Sequence, residues 1–278
     1  MSAAQRDNRA EVASGRLAPA RSVSRPAPYR LTPLLDLDPD LGATLSPERF
    51  ALARSTLRAR VLRLPRGEWR ASDLATLGQQ NVGLLLLEGV IAREVVLEDT
   101  ISTELLGPQD LIRPWSGSDE LDPLEPVIRW QVLADARLAV LGGWFAGALA
   151  RFPEINAILL DRACAHAQRL ATTQAIGHLT CVDRRVHALL WHLAGRWGRM
   201  TPDGVVVPLT LSHRLLGELV GARRPTVSTA LASLEREGKV LRRSDATWLL
   251  TGEPPSSSGA AVHPLISHRR RLLRQMPG

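Results

Sequence analysis

The chain has few residues of several kinds, and each shortage narrows what the protein can be. Among its 278 residues there are two cysteines, one tyrosine and a single lysine, Lys239. Two cysteines cannot build a disulfide-stapled secreted scaffold or hold an iron–sulfur cluster with four of the chain's own thiolates. The densest apolar run, residues 84–87, is followed by Glu88. That run is far too short to cross a bilayer.

Sequence motifs of enzyme chemistry are also missing. The chain has no Walker loop, no dinucleotide-binding fingerprint, no zinc-ligand spacing and no nucleophile elbow. We therefore expect neither an enzyme nor a bound metal or cofactor. Residues 1–30 lack the apolar segment of a secretory signal, so we expect a cytoplasmic protein with no membrane partner. Cys164 and Cys181 are expected to be small buried or half-buried side chains.

Arginine and apolar residues are abundant. Lysine and arginine together number 35 against 28 acidic residues, which gives a formal net charge of +7. A basic balance of this kind makes a polyanionic partner more plausible than an acidic one. Hydrophobic residues make up 45% of the chain, enough to fill the core of one large domain or the cores of two ordinary ones.

The order of sequence patterns predicts five segments. Residues 1–30, rich in Arg, Ala, Ser and Pro, are expected to form a disordered arm. Residues 31–152 contain short apolar runs separated by turn residues, which favours a small antiparallel roll. Its strands are predicted at residues 56–64, 83–90, 93–97, 100–106 and 127–133. Residues 253–278, first rich in Pro and Ser and then basic, are expected to form a flexible basic tail.

Two helices are predicted between the roll and the C-terminal part of the chain. A short helix over residues 144–151 is followed by a long one that begins at Pro153 and ends near residue 179, within a segment 153–181. A stripe at three- and four-residue steps runs along the long helix. Its members are Ile155, Ile158, Leu159, Arg162, Ala163, His166, Leu170 and Thr173. The stripe can pack on a partner's copy, making a homodimer, or on the chain's own roll; we favour the dimer.

Residues 182–252 have the pattern of a winged helix-turn-helix. Asp183 is predicted to cap a first helix, and Ser212 a second one that Gly221 ends. Pro225 stands in the first turn of a third helix, where its missing N–H is tolerated. The apolar face of this third helix consists of Val227, Ala230, Leu231 and Leu234. Residues 239–243 and 247–251 can pair as a hairpin, the wing.

The same segment is basic, with eleven Arg or Lys residues against six Asp or Glu between residues 183 and 251. The outward face of the third helix carries Arg224 beside small or hydroxyl side chains, which suits entry into a DNA major groove. A winged helix used for protein–protein contact is the alternative, but the Arg-Arg-Pro-Thr-Val-Ser start has no clear use there.

The segment LTLSHRLLGELVGARRPTVSTALASLEREGKV resembles the helix-turn-helix of the Crp/Fnr family of bacterial transcription regulators. The stretch GLLLLEGVIAREVVLEDTISTELLGPQDLI is similar to the family's cyclic-nucleotide-binding-type β-roll, and the long helix resembles its dimerisation helix. The resemblance implies an α+β fold: an N-terminal antiparallel β-roll, a long dimerisation helix and a C-terminal winged helix-turn-helix. It covers about residues 40–251.

The resemblance also implies DNA contacts. The expected base-reading residues are Arg224, Pro225, Ser228 and Thr229. The expected phosphate contacts are Ser212, His213, Arg223, Thr226, Lys239, Arg242 and Arg243. Pro225 and Thr229 stand where well-studied members have a glutamate and a second arginine, which implies a different operator. A homodimer would present two recognition helices about 34 Å apart to a two-fold symmetric site on double-stranded DNA. RNA polymerase is the further partner that such a regulator implies.

The family's effector site is not matched. Arg113 and Pro114 replace the Gly-Glu pair that meets the ribose of cyclic AMP, and no Arg-Ser pair follows to hold the cyclic phosphate. We expect that cyclic AMP is not the effector, and that Glu104, Arg113 and Trp115 line the candidate effector pocket for an unknown small molecule. Two alternatives stay open: constitutive DNA binding with the roll as a platform, and a cyclic-nucleotide response through an atypical pocket.

Overall fold

The computed structural model describes residues 31–70, 82–114, 124 and 126–255. The predicted arm at residues 1–30, Trp115 and the tail from residue 256 onward lie outside this range, so what was expected of them stays a prediction. No helix in the described range combines the length and the apolar character that crossing a membrane requires.

An antiparallel sheet forms the N-terminal part of the described chain. Its strands are β1 (Leu31–Pro33), β2 (Arg58–Leu64), β3 (Gly67–Trp69), β4 (Gly83–Leu97), β5 (Thr100–Leu106), β6 (Leu111–Ile112) and β7 (Val127–Leu141). The order is β1-β2-β7-β4-β5, with β3 also pairing to β7 and β6 to β4. Every pairing is antiparallel, as the roll predicts.

Strands β4 and β7 pair almost from end to end, and a bulge interrupts their register near Gly89. Gly89 has φ of 91°, and a Cβ there would lie 2.4 Å from the carbonyl oxygen of Asp135. Only glycine fits this bend. The separate strands predicted at residues 83–90 and 93–97 are therefore wrong, because the chain bends through the bulge and stays paired.

Short helices, and not strands, cover the start of the sheet. They are α1 (Leu34–Leu37) and α2 (Pro47–Thr56), with a 3-10 turn at Pro39–Gly42 between them. The hydroxyl of Ser46 accepts from the backbone N–H of Arg49 and caps α2. The strand predicted from residue 56 begins instead at Arg58, because this cap and Pro47 start a helix that runs through Thr56.

Two helices follow the sheet: α3 (Gly143–Leu149) and the 25-residue α4 (Pro153–Gly177). Both lie where the sequence predicts helices, within two residues at each end. Phe145, Phe152 and Ile155 are fully buried in a core with α1 and α2. Cys164 and Cys181 are exposed, contrary to expectation, because neither faces a core.

The C-terminal module contains three helices and a small sheet. The helices are α5 (Val182–Trp197), α6 (His213–Val220) and α7 (Arg224–Arg236). The strands are β8 (Arg199–Thr201), β9 (Gly204–Val207), β10 (Val240–Arg242) and β11 (Trp248–Leu250), in the order β10-β11-β9-β8. Asp183 is not the cap of α5, since Cys181 holds that position; Asp183 lies in the first turn, where the helix dipole favours a carboxylate.

Candidate nucleic-acid interface

Helices α6 and α7 form a helix-turn-helix with defined ends. Ser212 caps α6, its hydroxyl accepting from the backbone N–H of Leu215 at 3.1 Å. Gly221 ends α6 with φ of 65°, the left-handed geometry that glycine adopts without strain. The predicted apolar face of α7 is buried, and it consists of Val227, Ala230, Leu231 and Leu234. Burial of this face fixes which side of α7 points to solvent.

The opposite face of α7 is open. Arg223, Arg224, Pro225, Thr226 and Thr229 are all exposed. Arg224 forms no ion pair with any residue that the structure describes, so its guanidinium group is available to a ligand. Thr229 donates its hydroxyl proton to the carbonyl oxygen of Pro225 at 3.2 Å. This face thus offers the N–H donors of Arg224 and, beside them, the hydroxyl oxygen of Thr229 as an acceptor, because the hydroxyl proton is already donated to the carbonyl oxygen of Pro225.

A contact between α6 and α7 was not foreseen from the sequence. Nδ1 of His213 lies 2.8 Å from Oγ of Ser228, and Ser228 also donates to the carbonyl oxygen of Arg224 at 3.1 Å. The imidazole lies beside the ring of Trp248, with centroids 6.4 Å apart. Arg242 covers that indole, with Cζ 5.5 Å from its centroid. His213 therefore touches the recognition helix and the strand that supports the wing.

The electrostatic surroundings of His213 disfavour its charged form. Burial lowers the pKa of His213 below its ordinary value, and the nearby charges of Arg242 and Arg224 lower the pKa further. Within the described chain, its Nε2 atom has no hydrogen-bond partner. In the absence of a ligand the ring is therefore mainly neutral near pH 7.

The predicted wing is present as a hairpin between β10 and β11. Arg242 pairs with Trp248, and the backbone N–H of Arg243 donates to the carbonyl oxygen of Thr247. Asp245 tightens the turn by accepting from the backbone N–H of Thr247 at 3.0 Å and from its hydroxyl, and these bonds lower the pKa of Asp245. Lys239 lies 2.6 Å from Glu237, so a local carboxylate partly offsets its charge.

The structure brings the predicted DNA-facing residues to neighbouring positions on α6, α7 and the wing. Sequence reasoning missed Trp248, which is 2% exposed and supports both His213 and Arg242. The apolar run Trp-Leu-Leu of β11 was the one signal for it in the sequence, and a run of three apolar residues does not show which side chain supports the neighbouring helix.

A second polar cluster joins the roll to the helix-turn-helix module. The carboxylate of Asp110, which is 2% exposed, binds Arg169 of α4 and lies 2.8 Å from Arg196 of α5. It also accepts from the backbone N–H of Gly107 at 2.9 Å. Nearby, the hydroxyl of Thr103 donates to Glu218 of α6 at 3.2 Å. We call this region the junction.

The two candidate effector residues that the structure describes, Glu104 and Arg113, do not line the same cavity. Glu104 is half-buried beside the junction, where Arg93 lies 2.5 Å and His166 3.1 Å away. Arg113 is exposed just after β6 and lines neither the junction cavity nor the open cleft beside Trp69. Trp115 lies outside the described residues. Among those residues, no group of His, Cys, Asp and Glu side chains is arranged to hold a metal ion.

The stripe predicted to face a partner along α4 mostly faces the chain's own roll. Ile155 and Leu159 are buried in the core with α1 and α2, and Ile158 packs against it. Two further members, and one neighbour of the stripe, bind carboxylates of the roll. These pairs are Arg162–Asp38, His166–Glu104 and Arg169–Asp110. The assignment of Ile155, Leu159, Arg162 and His166 to a partner is thus corrected: the chain already covers them.

A different face of α4 is open. Leu160 is 63% exposed and Leu170 38%, and Ala163, a member of the predicted stripe, is exposed between them. Leu170 and Thr173 also line the cavity beside the junction. The other exposed residues on this face, at three- and four-residue steps, are Asn156, Cys164, Ala167, Ala171 and Gln174. We call this set, with Leu160, Ala163 and Leu170, the open face of α4.

The comparisons with known proteins agree with this architecture. The sequence model of the Crp-like helix-turn-helix domain matches residues 184–250. No curated protein sequence matches the chain.

Solved structures share the fold at low identity. A cyclic nucleotide-binding domain containing protein from Listeria monocytogenes EGD-e is 18% identical with a TM-score of 0.57, over 77% of this chain and 96% of that one. A CooA mutant from Carboxydothermus hydrogenoformans is 18% identical with a TM-score of 0.55, over 70% and 84%. FixK2 from Bradyrhizobium japonicum is 14% identical with a TM-score of 0.51, over 79% and 98%. The chain therefore contains a Crp-like helix-turn-helix domain at residues 184–250, and it shares the fold of these solved structures.

Proposed function

We propose that the protein is a sequence-specific DNA-binding transcription regulator that acts as a homodimer on a two-fold symmetric operator. The observation that carries this proposal is the exposed Arg224 at the start of α7, which forms no ion pair within the described part of the chain and whose helix buries its opposite face. An arginine in this position can donate two hydrogen bonds to guanine O6 and N7 in the major groove.

The phosphate contacts are assigned to the flanking elements. Arg223 at the cap of α7 and Arg242 and Arg243 on the wing are exposed, and Ser212 and His213 lie at the start of α6. Backbone contacts of this kind fix the register of the protein on DNA and carry little sequence information. RNA polymerase is the partner through which such a regulator would act.

The homodimer is assigned to the open face of α4. Leu160 and Leu170 are large apolar side chains exposed to solvent, and the alanines between them allow close approach of a second helix. Leu160→Arg is expected to give a monomer in sedimentation and a large loss of affinity for a palindromic site. Arg129→Ala, on an exposed position of the roll, is the matched control and is expected to change neither.

The effector is proposed to be a molecule other than cyclic AMP. Glu104 is already held by Arg93 and His166, and Arg113 lies on the surface away from it. Thermal unfolding with a panel of nucleotides and metabolites tests this, because a ligand that binds only the folded state raises the melting temperature. A clear shift with cyclic AMP would refute the proposal, and a shift with another compound would identify the effector.

The DNA-binding proposal is tested by selecting duplexes from a random pool with the full chain. We expect an enriched inverted repeat. Arg224→Ala is expected to cost about 1–3 kcal/mol on that duplex and to relax the preference at one base pair of each half-site. If no sequence is enriched over random DNA, the proposal fails.

A further inference from the structure

We propose that His213 is a positioning residue that locks the hydroxyl of Ser228 as a hydrogen-bond acceptor toward DNA, and that DNA binding takes up a proton at this histidine. This inference rests on the proposed DNA-binding function. It adds that pH regulates the affinity for DNA and that Ser228 contributes to the base preference of the same surface.

The first step concerns the single proton of the Ser228 hydroxyl. Ser228 donates to the carbonyl oxygen of Arg224 at 3.1 Å, and a hydroxyl has one proton to give. The 2.8 Å contact between Oγ of Ser228 and Nδ1 of His213 must then be made by a proton on Nδ1. The hydroxyl keeps one lone pair free, and the neutral imidazole has its other lone pair on Nε2.

The second step concerns base reading. A serine oxygen that has committed its proton can only accept a hydrogen bond from DNA. In the major groove the donors are the amino groups of cytosine N4 and adenine N6. Ser228 is half-buried on the same helix as Arg224, one turn further along. We therefore expect Ser228 to favour a cytosine or adenine next to the position read by Arg224.

The third step concerns the phosphate backbone. A neutral His213 with its lone pair on Nε2 repels a phosphate oxygen, whereas the protonated ring donates an N–H to it. The charged groups that face this ring are Arg224 on α7 and Arg242 on β10. Both repel a proton in the free protein, and phosphates that neutralise them remove that repulsion. The pKa of His213 therefore rises when DNA binds.

The affinity for DNA is expected to change with pH in one direction. The free protein holds His213 mainly neutral at neutral pH, and the complex holds it protonated, so affinity rises as the pH falls. One proton per subunit gives at most about a tenfold change in Kd per pH unit and per subunit. The rise ends once the pH is below the pKa of the free protein, because both states are then protonated.

The experiment measures Kd by fluorescence anisotropy for the full chain on its selected duplex, between about pH 6 and pH 8. We expect Kd to decrease several-fold toward the acid end. His213→Asn keeps an N–H donor at the δ position for Ser228 and cannot titrate, so it is expected to retain the base preference and lose the pH dependence. Ser228→Ala is expected to do the reverse. His178→Asn, at an exposed position after α4, is the control and should behave as the wild type.

Two results overturn the inference while leaving the proposed function intact: specific binding whose Kd does not change with pH, or a His213→Asn variant that keeps the wild-type pH dependence. An unchanged base preference in Ser228→Ala overturns the locked hydroxyl. If the wild type prefers no sequence at any pH, the proposed function itself fails. Circular dichroism of each variant checks that it is folded, which we expect because Ser228→Ala and His213→Asn change few atoms.

Discussion

Replacing Asp110 by asparagine is expected to weaken the junction between the roll and the helix-turn-helix module. The carboxylate is 2% exposed and is shared by Arg169 and Arg196. Asparagine has nearly the same shape and can still accept from the backbone N–H of Gly107. It leaves the two guanidinium groups, which carry like charges, without their common counter-charge. The substitution therefore tests the charge of Asp110 and not its volume.

The size of the effect follows from the burial of the three side chains. Removing one partner of a buried ion pair costs about 3–5 kcal/mol. The side chain of Arg169 is 31% exposed and that of Arg196 is 17% exposed, so both recover some hydration. The lower end of the range applies, and we expect a loss of about 3 kcal/mol. That corresponds to roughly a hundredfold change in the unfolding equilibrium.

Urea denaturation followed by tryptophan fluorescence measures this loss. Trp197 is a useful reporter, because its ring packs on Gly107 next to Asp110. The control is Glu88→Gln, which removes the charge of a carboxylate that is 58% exposed and paired with Arg137. A surface pair of this kind is worth at most about 1 kcal/mol. If the Asp110 and Glu88 variants unfold at the same urea concentration, the junction is not held by this cluster.

Three further predictions concern single sites. Gly89→Ala is expected to destabilise the roll by at least about 2 kcal/mol in thermal unfolding, because its Cβ would overlap the backbone of β7, whereas Gly147→Ala, which meets no atom within 4 Å, should be neutral or stabilising. His192 has a pKa lowered below 6.5 by burial and by two arginines. Its stabilising contribution is therefore present above about pH 6.5 and lost on acidification, and urea midpoints at about pH 7.5 and pH 5.5 should differ less in His192→Gln than in the wild type. Arg242→Ala is expected to weaken binding to specific and to random duplexes alike. It should also reduce the slope of log affinity against log salt concentration by about 0.9 for each phosphate that the arginine neutralises. An unchanged slope would contradict the assignment of Arg242 to a phosphate.

Much of the helix-turn-helix could be predicted because its signals are local. Ser212, Gly221 and Pro225 each mark a helix boundary through their own backbone chemistry, and the structure has all three where the sequence indicates them. The apolar face of α7 needs only the 3.6-residue period.

The roll and α4 were harder to predict, because their structure depends on contacts that a short stretch of sequence does not contain. The bulge at Gly89 joins two apparent strands into one, and a glycine in a strand pattern does not say whether the pairing continues. On α4 two faces carry apolar residues at helical spacing, so periodicity does not tell which one the roll covers. In the junction, Arg169 is 59 residues from Asp110 in sequence, and Arg196 is further away still. Contacts of this range depend on the tertiary fold.

Three polar contacts between α4 and the roll constrain how the helix can move. Arg162, His166 and Arg169 stand at successive turns, and each is bound to a different strand or turn of the roll. Sliding the helix by one residue means a 1.5 Å shift with a rotation of about 100°, which would misalign all three pairs together. These contacts therefore fix both the axial position and the rotation of α4 against the roll. Asp110, which binds Arg169, also contacts Arg196, so the same carboxylate joins α4 and α5 to the roll.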